Sequence, residues 1–373
     1  MSLRLLAGLA VFAAASPSLA QPANFPSLSG EVTVDVIDDF TYRSRNSARE
    51  QNDLFTKSVL ALDLRFTPLW SIETVAKLEP VKGPTGENRV FGGHGAWIEE
   101  LFVNFGTEDA AAYVGKFNPS FGIGWNQLPE VYGKDFAADY EIKEKIGAGG
   151  VYVFDGDAYG KHRLSASVFF GDDTGLSNSA INRPTVGANS TLRAGRSRKV
   201  DGGISNSESL SSFTVAVDGS DIPSVPDLTY HLALQRQVRS DRDANSQIGG
   251  AAALQYRLAL SERDAVMPLV EYVGLRGANG QTADRHYLTG SVALLHDDWT
   301  LRLTQSARNN EIRGTDATTA VNFVDHAGDT LRAISLGYAI TEDLSVAVGW
   351  RRAKLGAVTN DSAGLFLEYA FAF

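Results

Sequence analysis

The chain has 373 residues, with 34 Lys+Arg against 44 Asp+Glu, a formal net charge of -10 and no cysteine. The acidic surplus disfavours general nucleic-acid binding, which rests on clustered cations, and the missing cysteines exclude disulfide scaffolds, thiolate zinc sites, iron–sulfur clusters and thiol nucleophiles. Hydrophobic residues reach 43%, too many for a disordered chain, while a mean hydropathy just below zero argues against a bundle of membrane helices.

Residues 1–20 read MSLRLLAGLAVFAAASPSLA. Arg4 precedes an apolar run from Leu5 to Ala15, Pro17 breaks the helix, and Ser18-Leu19-Ala20 supplies small residues. This pattern predicts a secretory signal peptide cleaved after Ala20, with 21–373 as the mature, exported segment. The apolar run is short of the roughly 20 residues a spanning helix needs, and no later segment reaches that length.

From about residue 30 onward, apolar residues recur at every second position. Val32, Val34 and Val36 alternate with Glu31, Thr33 and Asp35. Leu60, Leu62, Leu64 and Phe66 alternate with Ala61, Asp63 and Arg65, and Trp70 to Leu78 with Ser71, Glu73 and Lys77. The pattern returns at Leu228–Leu234, Ile248–Leu258, Leu288–Leu294, Trp299–Leu303, Ile334–Ile340, Leu344–Trp350 and Leu365–Phe373. It is fainter near 94–105, 110–117, 146–154, 161–171, 210–218 and 265–275. A period of two means strands with one apolar face. About sixteen strands of roughly 9–12 residues fit, each long enough to cross a bilayer when tilted; fourteen or eighteen stay open where alternation is faint.

Tight connections (67–68, 106–109, 155–160, 261–264, 297–298, 341–343) alternate with long ones (40–53, 80–93, 118–145, 172–209, 308–328). Aromatics gather at strand ends: Phe66, Trp70, Phe105 and Trp299 beside tight turns, Tyr42, Phe91, Phe117, Phe170 and Trp350 near long loops. Short turns on one side, long loops on the other and two aromatic girdles predict an all-β fold, a closed antiparallel transmembrane β-barrel. A soluble sandwich would carry the same alternation but not the girdles. An unpaired edge is costly in lipid, so the sheet is expected to close.

The segment Leu365-x-Leu367-x-Tyr369-x-Phe371-x-Phe373 resembles the C-terminal signature of Gram-negative outer-membrane barrels. That resemblance implies that Leu367, Tyr369, Phe371 and Phe373 form the last strand and the signal read by the barrel-assembly machinery. It also implies a place in the outer membrane, among lipid and lipopolysaccharide. In general porins the third long loop folds inward and narrows the pore, with a Pro-Glu-aromatic-Gly element near its tip. Pro129-Glu130-Val131-Tyr132-Gly133 is similar, with one extra residue before the aromatic one.

The loop at 118–145 supports an inward path on its own chemistry. Phe121, Trp125, Tyr132, Phe136 and Tyr140 gain by packing on an inner wall. Its acids Glu130, Asp135, Asp139, Glu141 and Glu144 are the candidate constriction residues. The candidate wall cations, on inward parity, are Arg65, Lys77, Lys116, Arg163, Arg257, Arg302 and Arg351. Charges at the narrowest point bias which ions enter, and the net charge predicts a weak cation preference. The longest loop, 172–209, carries Arg193, Arg196, Arg198 and Lys199 and reads as a solvated external loop.

Catalytic patterns are sparse. The six histidines form no His-Glu-x-x-His, no Gly-x-Ser-x-Gly elbow occurs, and the calcium-like start at Asp241 lacks Gly at its sixth position. No cofactor or metal is expected. The reading is a passive porin for small hydrophilic solutes and ions; by family resemblance it is a homotrimer, with outward Gly250, Ala252 and Gly290 allowing close contact. A substrate-specific channel, an adhesin, or a barrel lipase or protease using His286 are the alternatives.

Overall fold

The computed structural model describes residues 24–84, 86–129, 131–156, 158–182, 198–313 and 328–373. The signal-peptide segment 1–20, Glu130, Arg193 and Arg196 lie outside the described residues.

Sixteen long strands follow one another in chain order. They are β1 (Ser27–Ser44), β2 (Gln51–Arg65), β3 (Trp70–Pro80), β4 (His94–Gly106), β5 (Ala110–Phe117) and β6 (Lys145–Gly156). Next come β7 (Gly160–Gly171), β8 (Ser212–Ser220), β9 (Leu228–Gln237), β10 (Gln247–Tyr256) and β11 (Asp264–Arg276). The last are β12 (Ala283–His296), β13 (Trp299–Ile312), β14 (Asp329–Ala339), β15 (Leu344–Leu355) and β16 (Val358–Ala372). Each pairs antiparallel with its sequence neighbour, and β1 pairs with both β2 and β16. The sheet therefore closes without a free edge. The seam is sealed at its end by Gly30 and Phe373, whose backbones exchange hydrogen bonds of 3.0 and 2.9 Å. Leu367, Tyr369 and Phe371 lie in that seam opposite Val36, Val34 and Val32.

Two two-residue segments complete the sheet. Arg89–Val90 lies beside β2. Leu258–Ala259 continues β10 after a break, which falls opposite Pro268, a residue with no N–H to give the ladder.

One rim carries tight turns. Thr67, Ser261 and Thr341 hydroxyls each accept from two backbone N–H groups just ahead of them, at 3.0–3.2 Å, a local bond that fixes a reversal. The other rim carries the loops, with two departures from expectation. The first loop is short, because β1 and β2 run on to Ser44 and from Gln51. The connection between β15 and β16 is only Gly356-Ala357, with Gly356 at φ 60°, a backbone state glycine adopts freely.

Leu232, Leu234, Leu254, Leu288, Leu303, Ile334 and Val348 point outward and are exposed. Near the turn rim the Trp70 ring packs tilted against Phe105 and Trp299 against Tyr338, both with ring centroids 4.6 Å apart. Near the loop rim the Trp350 indole donates to the Tyr42 hydroxyl at 2.9 Å. This is the banded surface a barrel presents to lipid.

The inner face is asymmetric. Along β8 to β14 the inward residues are buried, among them Thr214, Ala233, Ala253, Val273, Thr289, Thr304 and Leu331. Along β1 to β3 the inward residues Asp35, Ile37, Lys57, Val59, Ala61, Glu73 and Val75 are only half-buried, although Asp53, Asp63, Ser71 and Lys77 among them are buried. The interior is packed on one side and open to solvent on the other.

Candidate functional site

The packing comes from the third loop, residues 118–144, which lies inside the barrel. Asn118 ties its two ends together. Its amide donates to Glu99 at 2.8 Å, and its oxygen accepts from the Glu144 backbone at 2.7 Å. Beside it the Lys116 ammonium, 1% exposed, bonds Glu144 at 2.9 Å, Asp172 at 2.8 Å and the Ser177 hydroxyl at 2.7 Å. Burial alone would raise Asp172, but hydrogen bonds from Lys116, Ser177 and Thr174 hold its carboxyl below the usual range.

The loop then crosses to β9 and β11. Gly122 donates its N–H to His231 Nε2 at 3.1 Å, while His231 Nδ1 bonds Asp218 at 2.7 Å. The ring must therefore be neutral, with its proton on Nδ1. Gly122 sits at φ 70°, where a side chain would be strained and would also strike the Tyr140 ring. The Glu271 carboxylate, 1% exposed, accepts from the Ile123 and Gly124 N–H groups at 2.6 and 2.9 Å and from the Tyr140 hydroxyl. Burial, and then the Glu271 charge, push the Tyr140 hydroxyl well above its ordinary range, so it stays a donor.

Further on, Arg302 donates to the Gln127 carbonyl at 3.0 Å. The tip rests on Gly349 and Gly364, directly paired on β15 and β16. A Cβ at Gly349 would run into Val131, and one at Gly364 into the Tyr132 ring. Tyr132 donates to Asp39 at 2.8 Å, and Arg351 lies over its ring at 4.3 Å while bonding Asp135 at 2.6 Å and Asp39 at 3.2 Å. On the return, Asp139 takes Arg308 at 2.6 Å and the Tyr287 hydroxyl at 3.1 Å.

Apolar packing backs these bonds. Phe121, Leu128, Phe136, Tyr140 and Ile142 form one buried cluster with wall residues Leu269, Val273, Leu275 and Leu331. Each such side chain contributes roughly 1.5–3 kcal/mol relative to exposure. The aromatics that looked out of place in a solvated loop are what fasten it to the wall.

Of the residues singled out in the sequence, the structure joins Asp135 to Arg351 and Glu144 to Lys116. Glu141 bonds Lys143 of its own loop, Lys77 bonds Glu99 at 2.6 Å, and Arg65 bonds Asp63 at 2.8 Å. Arg163 lies on β7 and Arg257 in the break of β10, both at the turn end and away from the loop.

Sequence reasoning missed Glu271, His231, Asp39 and Arg308. It also missed an inward turn at 172–182, where Ala180 donates to the Ala96 carbonyl at 2.7 Å and Ser179 accepts from the Ala96 N–H at 3.1 Å. The longest loop is therefore not wholly external, because this stretch lies against β4. Arg198 pairs with Asp201 and Lys199 with Asp241. His286 bonds the Tyr272 hydroxyl at 2.8 Å on the outer wall. Among the described residues no group of three or more His, Asp or Glu could hold a metal ion.

No family model matches this sequence, and no curated protein does. Solved structures do resemble it. The outer membrane channel DcaP of Acinetobacter baumannii is 13% identical, over 92% of this chain and 96% of that one, with a TM-score of 0.55. A loop L8 deletion mutant of OmpT, an outer membrane protein of Vibrio cholerae, is 9% identical over 92% and 98%, at 0.53. The outer membrane protein OpdK of Pseudomonas aeruginosa is 9% identical over 93% and 99%, at 0.51. At such identities the likeness is one of fold, and the fold shared is the closed antiparallel outer-membrane barrel.

Proposed function

We propose that this chain is a passive channel of the Gram-negative outer membrane, admitting small hydrophilic solutes and ions with a weak preference for cations. The observation that carries the reading is the asymmetric lumen. A loop is bonded along one half of the inner wall, while half-buried polar and charged residues line the other half. Water fills such a passage, and its width and charge decide what diffuses through. The signal-like segment at 1–20 supports export, and the banded outer face supports insertion in lipid. Assembly as a homotrimer belongs to the same reading.

A substrate-selective channel is the second reading, favoured by how much of the lumen the loop occupies. The test of the first is single-channel recording of the purified chain in a planar bilayer. Stepwise, ohmic conductance is expected. Absence of current from correctly folded protein would overturn the channel reading, and saturable block by one solute would move it to the selective form.

A further inference from the structure

Resting on the outer-membrane placement in that reading, we infer that the outer face of β14 and β15 binds the phosphate groups of lipopolysaccharide, whose acyl chains lie on the wall below. The outward residues of these strands fall into two zones. Ile334, Leu336 and Val348 are exposed and apolar, flanked by Leu303 on β13 and Leu365 on β16. Nearer the loop rim the chemistry changes. Arg332 on β14 stands directly opposite Arg352 on β15, and Lys354 follows opposite Thr330. All three cations are exposed. Trp350, bonded to the Tyr42 hydroxyl, marks the border where an aromatic girdle belongs. Apolar wall, aromatic border and cations beyond it match, in that order, the acyl chains, the sugar and the phosphates of an anionic glycolipid.

Directly opposed like charges destabilise a sheet, and an anion between them offsets that repulsion. The protein supplies one for Arg352. Asp361, 3% exposed, accepts from its Nε at 2.7 Å and its Nη2 at 2.9 Å, and Arg43 approaches the same carboxylate at 3.9 Å. Arg352 also lies over the Trp350 ring, 6.0 Å from its centroid, so its guanidinium is held in place. The side chains of Arg332 and Lys354 have no hydrogen bond or ion pair among the described residues. A phosphate there takes the planar fork of Arg332 and the ammonium of Lys354 together. At the other end of the same two strands the turn carries Glu342 and Asp343. An anionic lipid is therefore drawn to the loop rim and repelled from the turn rim, and the loop rim is the one that faces the outer leaflet. Several cations in one patch suit a head group with more than one phosphate, which is the chemistry of lipopolysaccharide. The patch lies on the lipid side of the wall, so a solute in the lumen does not reach it.

The experiment is native mass spectrometry of the purified chain in detergent, titrated with bisphosphorylated lipid A or with phosphatidylglycerol, and with inorganic phosphate as competitor. Wild type is expected to prefer lipid A and to keep it in millimolar phosphate. Arg332→Gln with Lys354→Gln is expected to weaken lipid A binding by roughly tenfold. Arg332→Lys, which keeps the charge but not the fork, is expected to weaken it by about threefold. These side chains are exposed and outside the strand ladder, so the barrel is expected to fold in both variants. Arg263→Gln, at an exposed cation of the turn rim, is the control and is expected to match wild type. Equal affinity of wild type and the double variant, an equal loss in the control, phosphatidylglycerol bound as tightly as lipid A, or full release by phosphate would overturn the inference. None of these results touches conductance, so the channel reading stands or falls separately in the planar bilayer.

Discussion

Replacing Glu271 by Ala is expected to free the third loop and raise single-channel conductance, with noisier open states. Glu271 is the acceptor for two backbone N–H groups and a tyrosine hydroxyl in a site closed to water. Each orphaned donor costs about 1–3 kcal/mol, so several kcal/mol of loop attachment disappear with one side chain. The strand ladders do not involve this carboxylate, so the barrel itself stays closed. Glu271→Gln keeps one acceptor oxygen and should give an intermediate conductance. Current traces of both variants indistinguishable from wild type would show that the loop is held by something else.

The second large effect is at Arg351. Arg351→Met leaves Asp39 and Asp135 facing each other without their cation and strips the guanidinium from the Tyr132 ring. Breaking a fully buried pair costs about 3–5 kcal/mol. Arg351 and Asp135 are 20% and 31% exposed, so solvent screening reduces this to roughly 2 kcal/mol. The expected phenotype is rapid flicker from a detached tip, with the base of the loop still anchored at Glu271. Adding Asp135→Asn removes the stranded charge and should partly restore a quiet current. A double-mutant cycle on flicker frequency measures that coupling, and strict additivity would contradict the described clamp.

What was legible in the sequence follows from which solvents a strand touches. Strands β1, β2 and β3 face hydrocarbon outside and a partly open lumen inside, so apolar residues alternate with polar and charged ones and the strands stand out. Strand β11 was faint because its inward residues Ala265, Met267, Leu269, Val273 and Leu275 are apolar too, packing among themselves or on the loop. The lone acid among them, Glu271, was the available clue. The inward path of 118–145 was legible from its aromatics. Of its bonding partners, Lys116, Arg302 and Arg351 stood out as inward cations, while Asp39, His231, Glu271 and Arg308 did not, because they lie far off along the chain and meet the loop only once the barrel has closed. The inward turn at 172–182 left no apolar signature, since Ser177 and Ser179 are held by hydrogen bonds alone.

The most direct test of a lumen filled on one side and open on the other uses the absence of cysteine from the chain. Val59→Cys places a thiol on the half-buried inner face of β2, and Thr304→Cys places one on the filled side of β13, where Thr304 is 5% exposed. A cationic, water-soluble thiosulfonate is added while single channels are recorded. Stepwise current reduction at Val59→Cys, with no response at Thr304→Cys, is the predicted result. Reaction at Thr304→Cys with none at Val59→Cys would contradict it.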